Sequence, residues 1–294
     1  TDMVELALAQ QPVDVELRFK SKPSFNLSFS DVLRPIGASV TIENLQVTEN
    51  PKIPSQVDRI VSDELKAAEA AHELYKLGLD VYKVAVILSS GALGLQATKK
   101  MVPTRWSITA TDDLIFKKLA PEIKEQPMVN SFYVYESSYM DNHFLILLIP
   151  SFFEYENFEA WSPGSVWNES YYQRPVIVEE YEGFKGRSQY AANEGGGYYA
   201  ARLAVAEALH QMKRQAGVVV FRSIQPQYAV PLGVWVVRET ARDAFRQRGE
   251  KFETQKEALE YIDARLRANH GAQVRIKDFE ALSRILRQKR LTDY

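Results

Sequence analysis

Six consecutive apolar residues, Phe144-Leu-Ile-Leu-Leu-Ile149, constrain this chain more than any other stretch. A strand made from them is apolar on both faces, so it belongs in the centre of a sheet. Ser131–Tyr135 lies just before it and is also rich in β-formers, and Asp141-Asn142 between the two supplies turn chemistry. The pair reads as an antiparallel hairpin. Val218–Ile224 is another buried strand by its β-branched run. Val13, Val15, Leu17 and Phe19 alternate with charged residues, the period of a half-buried strand. Val40, Ile42, Leu45 and Val47 suggest a partner, and Val176–Val178 is a short strand running into Glu179-Glu-Tyr-Glu182.

Helical signals are spread along the whole chain. Asp63–Leu77 has Ser62 as an N-cap, acids in its first turn and Gly78 as its stop, with Leu65, Ala68, His72 and Tyr75 on one side. His72 there reads as a packed core histidine. Gly195-Gly-Gly197 opens a helix over Tyr198–Gln215, with Gly217 as the stop. Gly233–Gln247 reads as a helix whose Arg238, Arg242 and Arg246 fall four apart as one basic stripe. Thr254-Gln-Lys-Glu257 is a capping box for Gln255–Ala268, and Lys277–Arg290 is a further helix. These patterns predict an α+β fold, with a largely antiparallel sheet in the first half and helices packed on a few strands in the second. Ser162–Tyr172, with its proline, glycine and tryptophans, marks the division, giving domains 1–165 and 166–284 and a tail, 285–294.

Composition narrows the chemistry. A net charge of −2 confines any nucleic-acid surface to a local patch. The absence of cysteine rules out disulfides, thiolate zinc sites and cysteine nucleophiles within this chain. The four histidines lie far apart. No signal peptide is visible, and the longest apolar run is too short to span a bilayer, so no membrane partner and a cytoplasmic location are expected. Three acidic clusters stand out: Asp112/Asp113, Glu154/Glu156/Glu159 and Glu179/Glu180/Glu182. Two converging clusters could hold Mg²⁺ or Mn²⁺ for phosphodiester cleavage, with Asp112, Asp113, Glu179 and Glu182 as catalytic candidates. Arg105, Arg187 and Arg202 would then contact phosphates. The plainer alternative pairs each acid with a nearby base or with water, and the middle cluster with wet edges of an element whose aromatics pack inward.

Val102–Asp113 concentrates a proline, an arginine, a tryptophan, hydroxyls and two adjacent carboxylates. One reading is an extended Arg105–Ala110 followed by a helix capped by Thr111 or Asp112. The other is a loop presenting Arg105, Asp112 and Asp113 to a phosphate or a metal. Before it, Ser89-Ser-Gly-Ala-Leu-Gly94 could cradle a phosphate, although its spacing is not that of a P-loop or a dinucleotide fingerprint.

The run Leu88–Asp113 also carries a resemblance, with Tyr181-Glu-Gly-Phe-Lys-Gly-Arg187, Gly195-Gly-Gly-Tyr-Tyr-Ala-Ala-Arg-Leu-Ala204 and Pro231-Leu-Gly-Val-Trp-Val-Val-Arg-Glu239. In these strings, and in their order, the chain resembles the archaeal Nre family of DNA-repair proteins. The resemblance implies a repair role, with DNA as a partner. It also implies a further N-terminal segment, often with cysteines of metal-binding type, so any zinc module would lie outside this chain. Whether DNA is cut or only bound stays open. At the other end, Gln288-Lys-Arg-Leu-Thr-Asp-Tyr294 looks like the box by which repair proteins bind the sliding clamp (PCNA), which the family carries at its C-terminus. A single 3₁₀ turn would put Leu291 and Tyr294 on one side as an apolar plug, with Gln288 at the pocket rim.

Overall fold

The computed structural model describes residues 2–25, 28–30, 32–33, 35–36, 38, 40–168, 174–270 and 274–288. The chain divides into two compact units, Thr1–Lys118 and Leu119–Tyr294. The expected division at 165/166 therefore falls inside the second unit.

The first unit is mostly helical. After α1 (Asp2–Leu8), β1 (Val15–Phe19) and β2 (Ile42–Val47) form a two-stranded antiparallel ladder. Three helices follow, α2 (Ser55–Ser62), α3 (Ala67–Lys76) and α4 (Val81–Ser89), then a 3₁₀ turn at Gln96–Thr98 and the long α5 (Thr104–Lys124), which crosses into the second unit. Leu8, Val57, Ile60, Leu74, Val84 and Ile87 form the centre of a small apolar core, against which Leu114 packs. The helix expected over 63–77 starts four residues later, as α3. Asp63 is extended, so Ser62 ends α2 instead of capping a new helix, and the Glu69 carboxylate accepts the Lys66 backbone N–H to start α3. His72 is buried in α3, as a core histidine should be.

Arg105–Ala110 is helical, not extended. The Pro103 carbonyl accepts the N–H groups of Trp106 and Ser107 at 2.9 and 3.0 Å, so α5 begins just after its proline and runs through Thr109 and Thr111. Proline suits a helix start because the N–H it lacks would have no partner there. The turn before it is a packing device. Gly91 has φ +80°, and a Cβ on it would meet the Lys100 backbone carbon at 2.7 Å.

The second unit is built on one six-stranded sheet, ordered β6-β5-β7-β4-β3-β8. Its strands are β3 (Phe132–Tyr139), β4 (Asn142–Ile149), β5 (Glu154–Trp161), β6 (Val176–Glu182), β7 (Gly217–Ile224) and β8 (Glu250–Phe252). All neighbours are antiparallel except β5 and β7. The fold is α+β, and the sheet draws strands from both sides of residue 165. The expected hairpin is β3–β4. Its turn residues are Met140 and Asp141, both with positive φ, the geometry that matches strand twist. Every residue of β4 is buried between β7 and β3.

Helices α6 (Gly196–Met212) and α7 (Val234–Arg246) cover one face of the sheet, and α8 (Gln255–His270) and α9 (Ile276–Glu280) the other. On the α8 side Phe158, Phe221 and Phe279 stack within 6.0 Å of one another at the centre of the core. The expected capping box is present: Thr254 Oγ1 accepts from the Glu257 N–H, and Glu257 accepts from the Thr254 N–H. The basic stripe on α7 is not. Arg238 is buried, and Arg242 is held by Glu207 at 2.7 Å and Glu239 at 2.8 Å. The helix expected over 277–290 stops at Glu280. Buried Glu156 captures the following turn by accepting from Ser283 Oγ and from the Arg284 N–H at 2.6 Å. Among the described residues no helix is long and apolar enough to cross a membrane.

Two consequences can be measured. Gly91→Ala should destabilise the chain by more than about 1 kcal/mol, because it adds a close backbone contact to an unfavourable φ. Gly78→Ala, at φ +89° with nothing within 4 Å of its Cβ, should cost less, and thermal melts of both variants check the order. The second concerns Glu136, which receives His143 at 2.8 Å and Arg265 across β3–β4 and α8. Burial pushes its carboxyl up, but hydrogen bonds from His143 and Arg265 outweigh it and hold the carboxyl at about 2. Its folded value is depressed, so its stabilisation is full above the unfolded value near 4.5 and is lost as pH falls toward about 2. Glu136→Gln should lower the melting temperature at neutral pH and converge with the wild type in acid.

Candidate functional site

The expected site residues separate into those on the first unit and those on the second. Arg105 lies in the first turn of α5 and is exposed. Asp112 and Thr111 are fully buried two turns further on, inside the helix and not at its cap. Asp113 pairs with Lys117 one turn along, at 2.7 Å.

Glu179 and Glu182 lie on β6, and strand alternation turns them to opposite faces of the sheet. Glu180 and Glu182 point toward α6. Glu182 accepts from Tyr198 Oη at 3.0 Å and forms a buried ion pair with Arg202, itself 1% exposed. The Arg202 guanidinium stands 5.2 Å from the Tyr198 ring centre and 5.0 Å from that of Tyr199. Glu180 binds Arg187 at 2.9 Å and the Asn193 N–H at 2.8 Å, and Arg187 lies 4.8 Å over the Tyr198 ring. Glu179 points to the α9 side, where burial raises its carboxyl against the attraction of Arg284. Burial also raises Glu156 on the same side. The wet acidic edge expected of β5 is thus interior: Glu156 and Glu159 are both buried.

Three further residues complete the cluster on the α6 side. Arg222 of β7 donates to Glu159 at 2.6 Å and to Asn142 at 2.6 and 3.0 Å. Asn157 of β5 donates to Glu194, in the loop before α6. Burial first, and the charge of Glu159 second, push the Glu194 carboxyl well above the usual range. Glu194 thus lies beside Glu159, which Arg222 binds at 2.6 Å. Gly197 makes this approach possible, since a Cβ there would come within 2.7 Å of Glu159 Oε1. No local pattern marks Asn157, Glu194 or Arg222. The one available signal was the glycine triplet, which allows a helix to close on a crowded sheet face. Among the described residues no group of three or more His, Asp or Glu side chains is placed to hold a metal ion.

The C-terminal residues leave from the opposite side. Leu286, Arg287 and Gln288 line a surface groove with Gln255, Leu259 and Asp263 of α8, and the Gln288 N–H donates to Ile285 O at 3.3 Å. Leu291 and Tyr294 lie outside the described residues.

Comparison with known proteins adds to this picture. The model of the archaeal Nre N-terminal region matches residues 1–168, and that of the archaeal Nre C-terminal region matches 182–294. The chain is 39% identical over 260 residues to the DNA repair protein NreB of Archaeoglobus fulgidus, an alignment covering 88% of this chain and 65% of that one. It is 38% identical over 259 residues to DNA repair protein NreA of the same organism, with the same coverage. It is also 38% identical over 244 residues to DNA repair protein NreA of Haloferax volcanii, covering 82% of this chain and 58% of that one. The chain thus spans about 65% of the length of the two Archaeoglobus relatives. No solved structure matches it. The two regional matches follow one another in order and take in nearly every residue, so the chain belongs to the archaeal Nre family.

Proposed function

We propose that this protein is a cytoplasmic DNA-damage repair factor that binds DNA and is recruited to it by the sliding clamp through its C-terminal residues. The repair role rests on relatives of 38–39% identity named as DNA repair proteins. The clamp reading rests on Gln288, Leu291 and Tyr294, spaced three apart at the end of the chain. One 3₁₀ turn would bring Leu291 and Tyr294 to one side, and Arg287, Lys289 and Arg290 would steer the segment to an acidic partner. The position of Gln288 beside a surface groove supports the reading, because it sets the root of this segment outside the packed core.

Binding is favoured over metal-dependent cleavage of DNA by what the candidate carboxylates already do. Glu182 is committed to a buried pair with Arg202 and to Tyr198. A buried ion pair has lost its hydration, and withdrawing one partner to reach a metal would strand the other charge at a cost of about 3–5 kcal/mol. Arg187 and Arg202 pair with Glu180 and Glu182, and Arg105, the third arginine proposed for phosphate contact, is exposed.

The test is binding to the sliding clamp. A peptide covering Leu286–Tyr294 should bind, and the same peptide with Leu291 and Tyr294 both changed to alanine should bind at least tenfold more weakly. Equal affinity of the two peptides removes the clamp from the proposal. In the full chain the same double substitution should abolish clamp binding and leave the melting temperature unchanged.

A further inference from the structure

Strand β1 has one edge on β2, and among the described residues no strand pairs with its other edge. The Asp14 carbonyl accepts from the Thr48 N–H at 3.1 Å, and the Lys20 N–H donates to Thr41 O at 2.9 Å. Peptide groups alternate in direction along a strand, so Asp14, Glu16, Arg18 and Lys20 turn theirs to β2. Val15, Leu17 and Phe19 turn theirs to the open edge. The outer edge of β2 is treated differently, because there the Val47 N–H donates to Asp2 Oδ2 at 3.4 Å and α1 packs on the strand. The apolar side of the ribbon is also incompletely covered. Leu17 is 38% exposed, Phe19 42%, and Ile42, opposite Phe19, 45%. An apolar edge strand with an open row of N–H and C=O groups is a template for another strand.

The charges of β1 select that strand. Side chains alternate too, so Asp14, Glu16, Arg18 and Lys20 share the polar face, and all four are exposed. Across the ladder Glu16 faces Gln46 and Arg18 faces Asn44, both neutral. Two acids thus precede two bases on one face, with Leu17 at the midpoint. A second copy laid antiparallel about Leu17 sets Glu16 opposite Arg18 and Asp14 opposite Lys20, twice over by symmetry. On the apolar face the same register sets Val15 opposite Phe19, and Leu17 opposite its own counterpart. These apolar pairs are the ones whose peptide groups point outward, so they take the hydrogen-bonded positions. The charged pairs take the alternate positions, where facing residues come closest. Other registers fail. A shift of one residue sets outward peptide groups against inward ones and joins the polar face to the apolar face. A shift of two sets Glu16 opposite itself or Arg18 opposite itself. A parallel copy in register sets like charges side by side.

We infer that this edge is a self-association surface, on which two copies of the chain join β1 to β1 in a four-stranded antiparallel sheet with a two-fold axis at Leu17. A strand of another protein would need no such two-fold pattern of signs. The inference is independent of the repair and clamp readings. Each copy contributes one five-residue strand, so the interface is small and the dissociation constant is on the order of micromolar.

Sedimentation equilibrium of the full chain, over concentrations up to sub-millimolar, tests it. The wild type should behave as a monomer–dimer system. Glu16→Arg should weaken the dimer about tenfold, because the axis counts each like-charge pair twice. Arg18→Glu should do the same. The double swap of Glu16→Arg with Arg18→Glu restores opposite signs across the axis and should return the wild-type constant. Leu17→Lys, which brings two cations together on the axis, should leave only monomer. Glu64→Arg makes the same change of charge at an exposed position outside the ribbon and should leave the constant unchanged. All these positions are exposed, so thermal melts of the variants should overlay that of the wild type. A wild type that stays monomeric throughout overturns the inference. So does a dimer indifferent to Glu16→Arg and Leu17→Lys, and so does a double swap that associates no better than either single change.

Discussion

Each carboxylate that β5 and β6 turn into the interior of the second unit has to be met by a donor, and the arrangement around the sheet follows from that requirement. An ionised carboxylate without partners cannot be taken out of water at any reasonable cost. Arg202 and Tyr198 meet Glu182, Arg222 meets Glu159, Arg187 and the Asn193 N–H meet Glu180, and the Ser283–Ile285 turn meets Glu156. Glu194 accepts from Asn157, and burial, with Glu159 beside it, pushes its carboxyl well above the usual range. These pairings bring α6 onto the sheet at a glycine, bind the loop before it to β6, and end α9 where the C-terminal segment begins.

The same requirement separates structure from recognition. The charged residues that look most like a catalytic constellation in the sequence are the ones whose charges are spent on one another. Exposed aromatic and basic side chains lie on the first unit, around the start of α5. There Ser89 and Pro103 hold the backbone, Lys99 Nζ donates to Val61 O, and the side chains of Lys100, Met101, Arg105 and Trp106 are exposed. A rigid backbone under exposed aromatic and basic side chains is the arrangement that recognition needs. A buried, fully paired network is the arrangement that holds a fold.

Much of the scaffold was legible residue by residue. The apolar run at 144–149 announced a central strand, and β4 lies between β7 and β3. Thr254 and Glu257 announced a helix start and make the two reciprocal hydrogen bonds. Gly195–Gly197 announced a helix that begins in tight quarters. The failures share a cause. Ser62 looked like an N-cap because serine often is one, yet the helix before it had already claimed it. Arg238 and Arg242 looked like a basic stripe because their spacing is helical, and spacing says nothing of Glu207, thirty-five residues away in the chain.

The sequence by itself determined the elements that neighbouring residues can specify: the period-two strands, the hairpin, the capping box, the glycine-opened helix and, through its distinctive strings, the family. Hydrogen bonds within a turn and alternation along a strand act over a few residues, so they leave a local trace. The tertiary structure decided which charges are buried and which are exposed. Glu156 meets Ser283 across 127 residues and Arg222 meets Glu159 across 63, and no local pattern encodes such pairs. The stability of a buried charge depends on the partner brought to it through space, so the fate of every acidic cluster was settled by strand register and helix packing.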